Sequence, residues 1–570
     1  MPEPVLESVL ESVAESAAGA MTRPAPGPAA RAVAGPAVRV DQLVGHGDPD
    51  RPAVTVGAVT LTYRELADQV ARAACGLHTL GVRRGDRVVV YAEKRLETVV
   101  ALLAAAAAGA VFVPVNPLFK QGQLAHVLRD CSPRVVVTTS ERWRTVQAAA
   151  GNDAVRHVVV IGGEPWTATA PGPQPVPWTE LADAHPDPVP GAADVIDQDV
   201  AAIMYTSGST GGPKGVVLSH RNLLAGAASV AGYLRNTPDD VVLGLLPLSF
   251  DAGLSQLTTA LHAGAHVVLA DYLRPKEVVR LCSRHGVTGL TGVPPLWLQL
   301  VEQDWPAEAT ERLRYFANTG GRMPVPTFAR LRQLFPAAEP YLMYGLTESF
   351  RSTYLDPSQA DRRPDSIGKA IPNAEVLVLR SDGSPCAPGE HGELVHRGAL
   401  VALGYWNDPV RTAERFRPLP RPDGATGPEI AVWSGDTVYR DAEGFLYFVG
   451  RADEMIKTSG YRVSPTEIEE AAYATGLIAE AVALGVEDAR LGQHVVLFVA
   501  MREDGTPPAA LSRALAGALP SYMLPQHVHV VDRLPRSVNG KFDRVQLRAA
   551  ATGDSPPLMS VGRAWASSEE

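Results

Sequence analysis

Four short valine-rich runs, each followed by a stretch of different texture, constrain this chain more than any other feature. RVVVYA (87–92), VFVPV (111–115), RVVVTT (134–139) and HVVVIGG (157–163) are apolar along nearly their whole length. They do not alternate apolar and polar residues as a half-exposed strand would. Strands buried on both faces read this way, and they belong to parallel sheets covered by helices. The segments 92–111 and 120–130 read as such helices. A second series follows: VVLGLLP (241–247), HVVLA (266–270), VTGLTGV (287–293) and RYFAN (314–318). The pattern predicts an α/β chain whose large N-terminal part stacks two units of similar kind. EVLVLR (375–380) and GELVHRG (392–398) read as a smaller β-rich subdomain. After Gly450 the texture changes, and about 100 residues carry strands and helices of their own, an α+β C-terminal domain. We therefore expect a large domain over 37–451 and a small one over 452–552.

The two ends differ from this body. Residues 1–36 read as a disordered or accessory extension: VLESVLESVAES suits a short amphipathic helix, and the alanine- and proline-rich stretch after it suits a linker. Residues 553–570 form a tail thin in apolar groups. The acidic opening lacks the basic and apolar segments of a secretory signal. Val99 to Val115 approaches membrane-spanning length, but its alanines and Pro114 fit a buried helix followed by a buried strand. Cys75, Cys131, Cys282 and Cys386 are far apart, which excludes a CxxC metal site and suits a reduced cytoplasm. A net charge of -10 argues against nucleic-acid or membrane-surface partners.

The chemistry concentrates in YTSGSTGGPKGV (205–216). Thr206, Ser207, Ser209 and Thr210 offer hydroxyls, while Gly208 and Gly211 let backbone N–H groups converge on an anion. Lys214 adds a positive charge. A nucleotide P-loop would need glycine before that lysine and a hydroxyl after it; Pro213 and Gly215 stand there instead.

The stretch resembles the phosphate loop of the adenylate-forming superfamily: acyl-CoA synthetases, nonribosomal peptide adenylation domains and luciferases. Four further motifs follow in that family's order: YGLTES (344–349), SGD (434–436), GRADEMIKTSGYRVSPTEIE (450–469) and PRSVNGKFDR (535–544). The resemblance covers roughly 37–550. It implies that ATP and Mg2+ are used to convert a carboxylic acid to an acyl-AMP, with pyrophosphate released. A thiol then displaces AMP to give a thioester. It implies that Lys541 lies between the acid and the α-phosphate, where charge must be offset for one anion to attack another. Thr347 would touch the α-phosphate and Glu348 would hold the metal. Asp436 would accept from the ribose hydroxyls, with Arg451 nearby. Gly320, Gly321, Arg322, Tyr344, Gly345 and Phe448 would surround the nucleotide. Asp453 would be the hinge about which the C-terminal domain turns between the two half-reactions.

The acid is a separate question. Acyl- and aryl-CoA ligases often carry an aromatic–His pair where this chain reads LPLSFDAG (246–253). Phe250-Asp251 instead resembles amino-acid adenylation domains, in which the aspartate pairs with the substrate amine. Carried across, the acid pocket comprises Phe250, Asp251, Ala252, Ser255, Gly292, Ala317, Thr319, Met343, Arg351 and Ser352. An arginine facing such a pocket suits a second carboxylate. The closest likeness is to stand-alone amino-acid adenylating ligases and exosortase-associated AMP-forming acyl ligases. We expect an amino acid as substrate and a discrete carrier protein or CoA as thiol donor. The alternatives are a fatty-acyl- or aryl-CoA ligase and a degenerate adenylate-binding protein; intact Lys541, Thr347, Glu348 and Asp436 argue against the last.

Overall fold

The computed structural model describes residues 37–150, 155–163, 173–186, 189, 194–206, 213–272, 274–419, 427–451, 454–458, 461–488, 491–502, 508–519 and 521–553. Ser207, Gly208, Ser209, Thr210, Gly211 and Asp453 lie outside the described residues, as does the extension 1–36.

The valine-rich runs form one sheet and the second series another. Strands Val111–Pro114, Arg87–Tyr91, Val135–Thr139 and His157–Ile161 lie parallel and adjacent in that order. Val200–Thr206 joins them, and Lys214–Ser219 closes back on it antiparallel, so that Thr206 and Lys214 face each other. The second sheet runs His266–Leu269, Val241–Gly244, Gly289–Gly292, Tyr315–Asn318 and Glu339–Tyr344, all parallel. An antiparallel series extends it through Thr353–Leu355, Ser366–Ala370 and Leu446–Arg451 into the expected β-rich piece, Ala374–Leu379 with Gly392–Gly398 and Glu429–Arg440.

Helices Tyr63–Thr79, Leu96–Ala107, His220–Tyr233 and Asp251–Ala263 contribute to one core with side chains of both sheets. Their ends are set locally. Thr62 and Ser219 accept the N–H groups of Glu65 and Asn222, and Gly264 ends the last helix in the left-handed region. The apolar run Val99 to Val115 is a buried helix, Leu96–Ala107, followed by the strand Val111–Pro114. No helix among the described residues is long and apolar enough to cross a membrane.

From Ile456 onward a third, smaller sheet pairs Ile478–Asp488 with Gly492–Met501, with Pro465–Ala474 and Pro508–Ala518 on a core of their own. Four strands of the second sheet, Val241–Gly244, Gly289–Gly292, Tyr315–Asn318 and Glu339–Tyr344, run parallel and so end at one edge. Ligands of open parallel sheets bind beyond the carboxyl ends of the strands. The segments following those ends carry Phe250, Asp251, Thr319, Gly320 and Thr347.

Candidate active site

Three clusters of polar side chains meet at that edge. In the first, Lys214 Nζ lies 2.9 Å from Glu348 Oε1 and donates to the Tyr405 hydroxyl at 2.8 Å. Tyr405 in turn donates to Glu348 Oε1 at 2.5 Å. Lys214 opens its strand, Glu348 sits in the turn Thr347–Ser349, and Tyr405 belongs to the short strand Gly404–Tyr405 paired with Lys214–Ser219. Glu348 is 7% exposed. Burial alone would raise its pKa, but Lys214 and Tyr405 outweigh it and hold the carboxyl below the usual glutamate range. A lone ionised carboxylate completed by phosphate oxygens and water suits Mg2+, and no cluster of three acids, histidines or cysteines among the described residues competes with it.

The second cluster is the acid pocket. Asp251 opens the helix Asp251–Ala263, where its Oδ1 accepts the Ala252 N–H at 2.7 Å and the helix dipole favours its charge. Gly253 is obligatory here, because a Cβ would lie 2.0 Å from the Pro247 carbonyl oxygen. Thr347 Oγ1 donates to Asp251 Oδ2 at 3.4 Å, and Arg351 Nη1 stands 3.5 Å from the same oxygen. Lys541 Nζ lies 5.0 Å from the centre of the Phe250 ring. It reaches there past Gly320, where a Cβ would come within 2.9 Å of Lys541 Cε. Its own loop is tied to the large domain by the Asn116 side chain, which donates to the Val538 carbonyl at 2.9 Å. Burial pulls the Lys541 pKa down; Asp251 opposes that, while Arg351 and Arg451 add to it. Ser255 is buried on the same helix, its Oγ 3.5 Å from Thr259 Oγ1. The Thr319 N–H donates to the Gly292 carbonyl at 3.0 Å, and Met343 Sδ accepts from Tyr233 at 3.0 Å. Ser352 is held at 3.0 Å by buried His396, whose pKa burial depresses to about 4.

The third cluster surrounds Asp436. Tyr344 donates to its Oδ2 at 2.5 Å, and Arg451, its partner across the strand pair, stands 3.7 Å from Oδ1. Phe448 packs 6.2 Å from the Tyr344 ring. Buried Oδ1 accepts no hydrogen bond among the described residues. Burial therefore raises the Asp436 pKa despite Arg451 and Tyr344. An orphaned acceptor of this kind fits a ribose diol, whose hydroxyls would supply the missing donors. The Thr206 hydroxyl, at the end of its strand, is likewise buried without a partner among the described residues. Gly345 is pressed against Arg351, where a Cβ would lie 3.0 Å from Cα, and Gly321 accepts from Asn318 at 2.8 Å. Arg322 turns toward the C-terminal helix Pro465–Ala474, its Nε 3.6 Å from Glu470.

Sequence reasoning missed three residues. Tyr405 and Asn116 are described above. Arg415 Nη1 donates to the Trp433 carbonyl at 2.8 Å, and its charge acts on both the Tyr405 phenol and the Asp436 carboxyl. It passes beneath Gly435, which has φ +71° and where a Cβ would lie 2.6 Å from Nη1. Only the glycine of SGD hinted at this close approach.

Comparison with known proteins bears on these clusters. A model of the AMP-binding enzyme family matches residues 42–406, and one of the AMP-binding enzyme C-terminal domain matches 467–541. The L-proline–[L-prolyl-carrier protein] ligase of Streptomyces coelicolor is 34% identical over 525 residues, covering 89% of this chain and 94% of that protein. The feruloyl-CoA synthase of an Amycolatopsis species is 33% identical over 511 residues, covering 88% and 96%. Among solved structures, ATP-bound MatB of Rhodopseudomonas palustris aligns with a TM-score of 0.75 at 27% identity, over 90% of this chain and 98% of that one.

Proposed function

The chain belongs to the AMP-binding enzyme family, and from that premise we propose that it activates an amino acid and loads it on a carrier protein. The coarser activity is that of an adenylate-forming acid–thiol ligase using ATP with Mg2+. The acid's carboxylate oxygen bonds to the α-phosphorus of ATP as the bond to the pyrophosphate leaving group breaks. The thiol sulfur then bonds to the acyl carbon and AMP departs.

In this reading Lys541 carries the first step. Its ammonium, over Phe250 and within the field of Asp251, faces the acid and the α-phosphate together. A cation already stripped of water needs no reorganisation as charge develops. Thr347 orients the same oxygens. Lys214 and Tyr405 keep Glu348 ionised and acceptor-only, the state in which it would hold Mg2+. The metal's contribution is to neutralise charge on the departing pyrophosphate. Asp436 and Tyr344 fix the ribose.

The amino-acid assignment rests on Asp251, a carboxylate only 4% exposed at the start of the helix Asp251–Ala263. A buried acid there suits an ammonium ligand. One observation favours the second reading, a fatty-acyl- or aryl-CoA ligase: Arg351 and Thr347 already partner Asp251. Pyrophosphate exchange across amino, dicarboxylic, fatty and aryl acids separates the two, with Asp251→Ala losing amino-acid activity alone. Response to fatty or aryl acids only would overturn the amino-acid reading. Repeating thioester formation with CoA and with a carrier protein identifies the thiol.

Residues 452–552 act in this scheme as a lobe that turns about Asp453 after adenylation, withdrawing Lys541. Its ties to the large domain include polar contacts of the kind that re-form, Asn116 to Val538 and Arg322 to Glu470. The four cysteines, none disulfide-bonded, suit the reducing cytoplasm.

A further inference from the structure

We propose that Arg351 is the recognition group for a second carboxylate, so that the acid activated is an amino acid bearing two carboxylates; this rests on the amino-acid reading above. The residue is 3% exposed, and its Nε has no hydrogen-bond partner among the described residues. Nη1 donates to the Phe350 carbonyl at 2.6 Å. Its ion pair with Asp251 closes only to 3.5 Å, well beyond the ~2.7–2.9 Å of a charge-assisted hydrogen bond. Asp251 therefore neutralises the guanidinium without engaging its fork. A buried guanidinium with an empty donor costs free energy that a side-on carboxylate recovers.

The guanidinium is placed by rigid backbone. Phe350 has φ +55°, in the region a bulky residue avoids, and its ring is fully buried against Gly226. A Cβ on Gly226 would lie 2.4 Å from that ring, and one on Gly345 would lie 3.0 Å from Arg351 Cα. Strain held by packing in this way belongs to sites that need one geometry.

Charge balance selects the ligand class. Among the described residues, and setting aside the Arg451–Asp436 pair beside it, the pocket carries two cations, Lys541 and Arg351, and one anion, Asp251. The activated carboxylate faces Lys541 and the ammonium faces Asp251. Once an ammonium takes Asp251, Arg351 loses the one acid within ion-pair distance of it among the described residues. A second carboxylate on the substrate replaces it, and each of the three substrate charges then meets its opposite.

Pyrophosphate exchange with four acid classes tests this: amino dicarboxylic acids, their side-chain amides, neutral amino acids, and dicarboxylic acids without an amine. The amino dicarboxylic class should give the highest kcat/KM, with the amides lower by about 100-fold or more. Arg351→Gln should remove that preference, and Arg351→Lys, which keeps the charge but not the fork, should restore only part of it. If neutral amino acids exchange as well as the acidic ones, or the ranking survives in Arg351→Lys and Arg351→Gln, the Arg351 assignment is wrong while the amine reading stands. If amine-free dicarboxylic acids exchange equally well, the amine reading fails and the Arg351 assignment stands. Should Arg351→Gln not fold, the wild-type ranking and Arg351→Lys decide the matter.

Discussion

Replacing Lys214 with methionine isolates what the loop lysine does to Glu348. The methionine keeps most of the side-chain volume and removes the ammonium that lies 2.9 Å from Glu348 Oε1. Among the described side chains, Glu348 is then a buried carboxylate held by Tyr405. Burial, the largest influence on its pKa, goes largely unopposed. Breaking a buried pair by removing one partner costs about 3–5 kcal/mol. The Lys214 side chain is 20% exposed, so the lower end applies. Losing the ion pair therefore raises the Glu348 pKa from its depressed wild-type position. The sign follows from the depressed wild-type value. The ionised form that works is present above the pKa, and activity falls as pH drops through it. In the wild type that fall lies below the ordinary glutamate range; in the variant it moves to higher pH.

The assay is the pH profile of kcat/KM for ATP in pyrophosphate exchange, which reports the free enzyme. At pH 8 the variant should show only the loss of a phosphate contact. At pH 5 its ratio to wild type should fall further, since protonation of Glu348 removes the working carboxylate in the variant before it does so in the wild type. Circular dichroism at both pH values separates this from unfolding. A wild-type-to-variant ratio independent of pH would refute the argument and leave Lys214 as a phosphate contact alone.

Other perturbations test the remaining clusters. Lys541→Ala should cut acyl-AMP formation by about 10²–10³-fold while ATP binding by calorimetry changes little; adenylate formation near the wild-type rate would sink its assignment. Asp436 has a raised pKa because it is buried, and ribose donors favour its anion, so AMP affinity should rise as pH climbs through that raised pKa, above the ordinary aspartate range. Calorimetry in two buffers of different ionisation enthalpy should show proton release on AMP binding near that pKa; its absence would count against Asp436 as the ribose acceptor. Gly226→Ala places a Cβ 2.4 Å from the Phe350 ring and should destabilise the fold by about 1–3 kcal/mol in urea unfolding, so an unchanged midpoint would show that the ring yields freely.

The parts of the fold legible in the sequence were those decided locally. Runs such as VVV at 88–90 stay apolar on both faces because both faces are covered, and their shortness and β-branched residues mark them as strands. Strand VVLGLLP was read through 247, yet pairing stops at Gly244, where the chain leaves the sheet to build the Phe250–Asp251 turn. The hairpin of Pro52–Val56 and Val59–Thr62 went unread. Its strands are short, and the parallel partner that fixes them, His266–Leu269, lies far downstream. Nothing within a few residues of Pro52 announces such a partner.

The site shows the same division more sharply. A motif reveals which group carries charge, since loop glycines and an isolated lysine are read from neighbours in the chain. It does not reveal what neutralises that charge, because the partner comes from another strand. Asp251 was expected to wait for an amine; folding sets Arg351 beside it, 100 positions away in sequence and 3.5 Å in space. Glu348 was expected to hold a metal, but the tyrosine that keeps it ionised, Tyr405, sits in a two-residue strand with no motif to mark it. Both neighbours bear on the same quantity, the free energy of a buried carboxylate, which depends on three-dimensional surroundings and on little else. Nucleotide chemistry was therefore readable from the chain, whereas the acid that enters the pocket turns on how Asp251, Arg351 and Lys541 divide their charges once packed together.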